Sequence, residues 1–327
     1  MLHLRIITPN GDLDQVVDVL RADPAVTHLI VLPGAAREPE GDVVLCDVAR
    51  EGSNDVLDAL RALGIEEKGS IAIEGVDVML SAAADQAAEA APGLGADAVV
   101  WEELEHRTGE ETHLSVTYLT FFTVATIIAA IGVLLDQPIL IVGAMVVGPE
   151  FGPLAALCIG LVRRRADLIR GSLVALAAGF AVSMVFAMAA TWGLDALGLV
   201  SRDMLLAERP LTGFIWRPDA LSWIVGFLAG VAGMLSLTSA KSGALVGVLI
   251  SVTTVPAAAN AAVALAYRAP DEAAGSAVQL LINLAAIVTA GVLTLAVQSL
   301  RGSGRTAQLA PRGTAKQGAR RGRGAAR

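Results

Sequence analysis

The stretch that decides the fold is PILIVGAMVVGPEFGPLAALCIGLV, residues 138–162. It carries a single charge, Glu150, and is long enough to cross a bilayer core of about 30 Å. Pro149 and Pro153 flank this acid, with Gly152 between them, and because proline removes a backbone donor and clashes with the preceding turn they predict a broken helix. Broken backbone at membrane depth is tolerated only inside protein or beside water. The stretch therefore predicts a polytopic membrane protein with a functional break.

Residues 114–300 contain six apolar stretches that each meet the length of a transmembrane helix. They are residues 114–135, 138–162, 171–194, 220–240, 242–267 and 273–300. The sequence therefore predicts an α-helical membrane domain of six spans.

The first three spans resemble the last three. IAAIGVLL (128–135) aligns with LAGVAGML (228–235), and Val142-Gly143 with Val246-Gly247. A proline-interrupted segment follows in each half, VVGPEFGP and ISVTTVPAAAN. Because three spans are an odd number, the two halves would insert with opposite topology, and paired interrupted helices of this kind point to a transport site near the midplane. Ala/Gly/Val-rich spans also align by chance, so this 3+3 inverted repeat, with helices 2 and 5 broken, stays one of two interpretations.

The charges divide the chain into two parts. Residues 1–113 hold 7 Lys+Arg and 23 Asp+Glu, whereas residues 114–327 hold 17 and 9. The acidic first part alternates strand and helix patterns in the order βαββαβ over residues 1–75, which is the order of a ferredoxin-like domain. Strands are expected at residues 2–8, 26–33, 42–49 and 70–74, and helices at 12–21 and 53–63.

Residues 76–113 read as an acidic linker with an amphipathic lead-in to the membrane, and residues 301–327 as a basic, disordered tail. An orientation with both termini in the cytoplasm leaves thirteen Lys/Arg residues inside and four outside, as the positive-inside rule requires. We expect a multi-pass protein of the plasma membrane, in contact with lipid. Nucleic acid is not an expected partner, and a homo-oligomer is compatible with these patterns.

Polar groups within the apolar spans are the candidate site. Glu150 could bind a proton or a cation, or could be a structural acid paired with an arginine of residues 163–165 or with a backbone amide of the break. Around the expected break in span 5 lie Ser251, Thr253, Thr254, Pro256 and Asn260, and Asn283 follows in span 6. These residues could bind an ion or solute, or could hydrogen-bond between helices.

Sequence motifs of catalysis are absent. The chain has no G-x-S-x-G, P-loop or H-E-x-x-H motif, and its two cysteines lie far apart. All four histidines precede residue 114. We therefore expect no enzyme activity, no catalytic or metal-ligating residues and no cofactor.

Four motifs resemble the "domain of unknown function 389" family of prokaryotic integral membrane proteins. They are GAMVVGPEFGPL (143–154), GLVRRRADLIRGS (160–172), SAKSGALVGVLISVTTVPAAAN (239–260) and LLINLAAIV (280–288). The resemblance implies a membrane protein, often with a small N-terminal domain, but no substrate and no residue roles. Glu150 stands where other members often carry an apolar or small residue, which favours a subfamily trait.

Two functions follow from these patterns. The first is a transporter or channel-like permease for an ion or small solute, with a cytoplasmic regulatory domain, and it is favoured by interrupted helices with polar groups at midplane depth. The second is a membrane-embedded sensor or scaffold without transport activity, favoured by the scarcity of further charged residues along a pathway.

Overall fold

The structure of the protein, a computed structural model, describes residues 1–9, 11–76, 78–91, 99–239 and 253–309. A small antiparallel sheet with helices forms the N-terminal part, and the remainder is helical. The elements of the N-terminal part are β1 Leu2–Thr8, α1 Leu13–Ala22, β2 Val26–Arg37, β3 Glu40–Val48, α2 Ser53–Ala62, α3 Ile65–Lys68 and β4 Ser70–Gly75.

The four strands pair in the order β2-β3-β1-β4, and every pairing is antiparallel. Alternate residues of the central strand β1 are buried, because successive side chains of a strand point to opposite faces. Val16 and Leu20 of α1 and Leu57 and Leu60 of α2 complete a core of their own. This core also contains the thiol of Cys46, whose pKa burial raises to about 12, so that it stays protonated at neutral pH.

Strand β2 differs from the sequence-based expectation, which ended it at Pro33. It continues to Arg37, with a register shift between Leu32 and Ala36. Proline cannot donate to a ladder, but β2 is an edge strand paired only with β3, and edge strands tolerate proline.

Two helices connect the sheet to the membrane part, α4 Ala82–Ala90 and α5 Trp101–Glu110. The Ser81 hydroxyl accepts a hydrogen bond from the Ala84 amide, which explains why α4 begins only there. Ala91 packs into the core of the sheet, so contacts of the N-terminal part reach past residue 75.

Within the described residues, four helices are long and apolar enough to cross a membrane, and a bent pair is a further candidate. The long helices are α6 Val116–Leu134, α9 Ala166–Ala196, α11 Ala220–Thr238 and α13 Pro270–Leu309. The bent pair is α7 Pro138–Val147 and α8 Phe151–Arg163, with 54° between its halves. The remaining described helices are the short α10 Arg202–Leu206 and the 13-residue α12 Thr254–Ala266.

The expected count of six spans is therefore met only in part. Span 2 is the bent pair, and of span 5 only α12 is seen, because residues 240–252 lie outside the described residues. Lys241, Ser251 and the second copy of the Val-Gly pair fall in that gap. Helix α13 continues to Leu309, so the first residues of the tail that was expected to be disordered are helical. A long helix can extend in this way because each added residue makes one further backbone hydrogen bond. Residues 310–327 lie outside the described part.

Contacts between loops define the two ends of the bundle. The Asp136 carboxylate, just past α6, accepts a hydrogen bond of 2.8 Å from Thr212. The Tyr267 hydroxyl, just past α12, donates to Asp195 near the end of α9. We call this the loop end, and the opposite end, where Arg163 meets Glu105, the domain end. Helices α6, α9 and α12 thus run toward the loop end, and α7, α8, α11 and α13 away from it.

The half-length helices α8 and α12 lie in the centre of the bundle. Every residue from Phe151 to Gly160 and from Thr254 to Ala264 is buried, whereas the long helices each expose one side. Small residues bring the surrounding helices close: a side chain on Gly230 of α11 would meet the backbone of Ile287 in α13 at 2.9 Å. Helix α8 packs against α9 and α13, and α12 packs against α6, α9 and α13, so the ends of both short helices lie in the protein interior.

Candidate functional site

The break between α7 and α8 follows from one proline. Helix α7 ends at Val147, and α8 begins at Phe151 with Glu150 as its N-cap. Pro149 lies in the gap, as predicted. Pro153 does not break the helix, contrary to the expectation that both prolines would: it is the third residue of α8, in the first turn, where amide groups have no partner within the helix.

Glu150 lies at this break and is 3% exposed. Its Oε1 accepts a hydrogen bond of 2.8 Å from the hydroxyl of Thr254. Its Oε2 is buried without a hydrogen-bond partner among the described residues. A side chain on Gly148 would overlap Oε2. Because glycine has no side chain, the Glu150 carboxylate can lie against the end of α7. Arg163 and Arg165 pair with Glu105 instead. These two arginines therefore do not form the ion pair with Glu150 that the sequence left as an alternative.

The start of α12 meets this break. Thr254 is the first residue of α12, Thr253 is its N-cap, and Pro256 lies in the first turn, where its missing amide proton costs nothing. The N-termini of α8 and α12 therefore converge on the Glu150–Thr254 contact. Each helix N-terminus carries about half a positive charge, which stabilises a carboxylate between them.

A chain of hydrogen bonds leads from Thr253 into α13. Asn283 donates through Nδ2 to the Thr253 hydroxyl at 2.8 Å and accepts from Gln279 Nε2 at 3.3 Å. Gln279 Oε1 is buried with no partner among the described residues. All three side chains line a cavity of about 200 Å³ that also reaches Asp219, at the start of α11. These groups form a polar route between the loop end and the buried site.

Asn260 belongs to a different cluster. It lies further along α12 toward the loop end, about 9 Å from Thr254 at the rise of an α-helix. Its amide oxygen accepts from Arg209 at 3.0 Å, and its Nδ2 donates to Glu272 at 3.0 Å and to Ser276 at 2.7 Å. Arg209 and Glu272 also form a direct ion pair. The amide of Asn260 is therefore hydrogen-bonded to neighbouring segments, which is the second of the two interpretations that the sequence left open for these residues.

The structure thus divides the predicted site residues. Glu150, Pro149, Gly152 and Pro153 lie at the α7–α8 break, with Thr254 against them, and Thr253 and Asn283 lie beside them. Sequence reasoning missed Arg209 and Glu272, which lie outside the six predicted spans. The sequence did contain a signal that could have found them: Arg209 is basic, Glu272 is acidic, and both flank apolar spans at the same predicted end of the bundle.

The connector from the N-terminal part contacts the break directly. A Cβ on Gly152 would overlap the carboxylate of Glu111, so Glu111 lies against the first turn of α8. Helix α5 is itself held between the two parts of the molecule: Glu102 and Glu103 pair with Arg61 and Arg50 of the sheet domain. On its other side, Glu105 pairs with Arg163 at the end of α8 and with Arg165 at the N-cap of α9.

Comparison with known proteins agrees with the resemblance noted in the sequence. The model of the family described as "Domain of unknown function (DUF389)" matches residues 145–289, which include Glu150, Thr254 and Asn283. An uncharacterized protein of Methanocaldococcus jannaschii is 26% identical over 189 residues, covering 58% of this chain and 56% of the relative. The chain thus spans about half the length of that relative. No solved structure matches this chain.

Proposed function

We propose that this chain, whose residues 145–289 match the DUF389 family, is a transporter or channel-like permease for an ion or small solute. One observation carries the proposal: two buried half-length helices, α8 and α12, begin at the same point, where Glu150 meets Thr254. Interrupted helices whose ends meet inside the protein are the usual architecture of a midplane transport site. A buried carboxylate with one oxygen that has no partner among the described residues is a group that can bind a proton, a cation or a solute.

A recurring spacing between helices supports the proposal. Glu150 and Thr254 are 104 residues apart, and the same spacing separates the starts of α6 and α11 and those of α9 and α13. This spacing equals that of the two Val-Gly pairs, but it differs from the offset of 100 at which the sequence pairs residues 128–135 with 228–235. The turn before α9 and the turn before α13 each contain an arginine with positive φ, Arg164 and Arg268. Since α6 and α11 run in opposite directions, we propose an inverted repeat. Glu150 and Thr254 would then be equivalent residues that meet on its two-fold axis.

The N-terminal part is proposed as a regulatory domain of ferredoxin-like fold. Its strand order β2-β3-β1-β4, with helices α1 and α2 in the crossovers, is that of a split βαβ unit. Glu111 offers a physical route for regulation, because a shift of α5 would move a carboxylate that lies on the first turn of α8. The same contacts would serve a membrane-embedded sensor or scaffold, and a flux measurement separates the two functions.

The flux measurement uses purified protein in liposomes with a panel of monovalent cations, anions and small neutral solutes. We expect at least one solute to cross faster than through protein-free vesicles. Gly148→Leu should abolish this flux, because a side chain there displaces the Glu150 carboxylate and crowds Val255. Gly143→Leu is the matched control in the same helix, since nothing lies within 4 Å of its added Cβ. Absence of flux, or equal flux in both variants, would refute transport through this site.

We further propose that the chain lies in the plasma membrane with both termini in the cytoplasm. The native cysteines are buried, so single cysteines added at His106 and Leu211 can be labelled selectively. In intact cells an impermeant maleimide should label Leu211→Cys, at the loop end, and should reach His106→Cys only after permeabilisation. The wild-type chain controls for background. The reverse pattern of labelling would overturn the orientation.

A further inference from the structure

We propose that the cavity between the start of α11 and α13 is a binding subsite for a small ammonium cation, formed by Gln279, Asp219 and Phe214. The subsite would bind the solute on its route from the loop end to Glu150, so this inference rests on the proposed function. Its volume of about 200 Å³ holds several waters, at about 30 Å³ each, or one ammonium or short alkylammonium ion.

The first observation is a buried hydrogen-bond acceptor, Gln279 Oε1, that has no partner among the described residues. Gln279 is 1% exposed, and its Oε1 has no partner among the described residues although its Nε2 donates to Asn283. An unmade hydrogen bond on a buried amide oxygen costs about 1–3 kcal/mol. Because the side chain lines the cavity, a ligand there that carries an N–H donor would satisfy this oxygen.

The second observation is the sign of the charge. Among the described residues that line this cavity, Asp219 is the one that carries a charge, and its side chain is exposed. It caps α11 by accepting from the hydroxyl and the amide of Ser222, at 2.8 Å and 2.7 Å, and these bonds hold the pKa of Asp219 below its usual value. The carboxylate therefore remains charged at neutral pH, and the cavity attracts cations and repels anions.

The third observation concerns the kind of cation. Phe214 lines the same cavity, and an ammonium group is attracted to the face of an aromatic ring. A metal ion needs several oxygen ligands at once, whereas an ammonium ion uses separate N–H bonds. One free amide oxygen, one carboxylate and one ring match the second requirement.

The position of the cavity connects it to the buried carboxylate. Thr253 lines its inner end and accepts from Asn283, and the next residue, Thr254, donates to Glu150. Between a cation bound at Gln279 and Thr254, the contact partner of Glu150, would thus lie Asn283 and Thr253. The solute would bind first at this subsite, between the loop end and the α7–α8 break.

The test measures thermal unfolding of the full-length protein in detergent at constant ionic strength, with methylammonium chloride against sodium and potassium chloride. We expect methylammonium alone to raise the Tm saturably, as a ligand of the folded state does. Asp219→Asn keeps the helix cap and removes the charge, and Gln279→Met removes the free acceptor. Each should raise the half-saturating concentration about tenfold, a loss of about 1.4 kcal/mol.

Two controls match these variants. Asp271→Asn removes a charge at the loop end from a different cavity, and Gln298→Met removes a second unpartnered amide oxygen further along α13. Both should retain wild-type binding. An equal response to sodium, or equal loss in the variants and controls, would overturn the subsite. Binding without any flux would instead refute the proposed transport, and flux of other solutes without methylammonium binding would refute the subsite alone.

Discussion

Glu150→Gln is expected to leave the Tm near that of the wild type while removing the pH dependence of flux and lowering its maximum about tenfold or more. The amide keeps the shape of the side chain and an oxygen that can accept from Thr254, so the contact of 2.8 Å survives. It cannot ionise, and a transport cycle that uses a proton or cation at this position loses that step. The measurement is initial flux in liposomes between pH 5 and pH 9, for the solute identified in the screen.

Glu150→Leu is expected to behave differently. It leaves the buried Thr254 hydroxyl without its acceptor, which costs about 1–3 kcal/mol of stability. Asp167→Asn, an exposed acid at the domain end, serves as the matched control and should change neither flux nor Tm. If Glu150→Gln lowers the Tm and leaves the pH profile intact, Glu150 is a structural acid and the transport site lies elsewhere.

The largest effect on stability is expected for Arg209→Met. Arg209 and Glu272 are buried and paired, and Asn260 bonds to both. Removing one partner of a buried pair leaves an uncompensated charge, which costs about 3–5 kcal/mol. We expect a marked fall of the Tm in detergent, followed by the fluorescence of the four tryptophans.

The double variant Arg209→Met/Glu272→Gln should recover most of this loss, because no unpaired charge is then buried. Arg217→Met is the control. Arg217 lines a cavity at the loop end together with Arg209 and Glu272 but is exposed, so its loss should change stability by no more than about 0.5 kcal/mol. Equal destabilisation by Arg209→Met and Arg217→Met would show that the pair contributes little. No recovery in the double variant would show that the loss does not come from an unpaired buried charge.

Several features were predictable from the sequence because their causes are local. Pro149 interrupts a helix through its own missing amide proton, whatever packs around it. The β1 pattern follows from alternation of buried and exposed side chains, and the long spans from uninterrupted apolar composition. The resemblance to the DUF389 family was likewise visible in short motifs.

Other features depend on the rest of the molecule. Pro153 and Pro256 look like helix breakers in the sequence, but each falls in the first turn of a helix, where proline is tolerated. Strand β2 passes through Pro33 because only tertiary pairing decides which strand is at the edge. The end of a helix or an edge is a property of the assembled fold.

The sequence by itself determined that this is a membrane protein with an acidic N-terminal part, an interrupted second span and a lone acid at the interruption. Only the tertiary structure decided which polar residues meet. Glu150 meets Thr254, 104 residues later in the chain, whereas Asn260 lies in a separate cluster and bonds to Arg209 and Glu272. The physical reason is that a polar group in an apolar interior takes the partner that packing brings within hydrogen-bond distance, and packing depends on all the helices together.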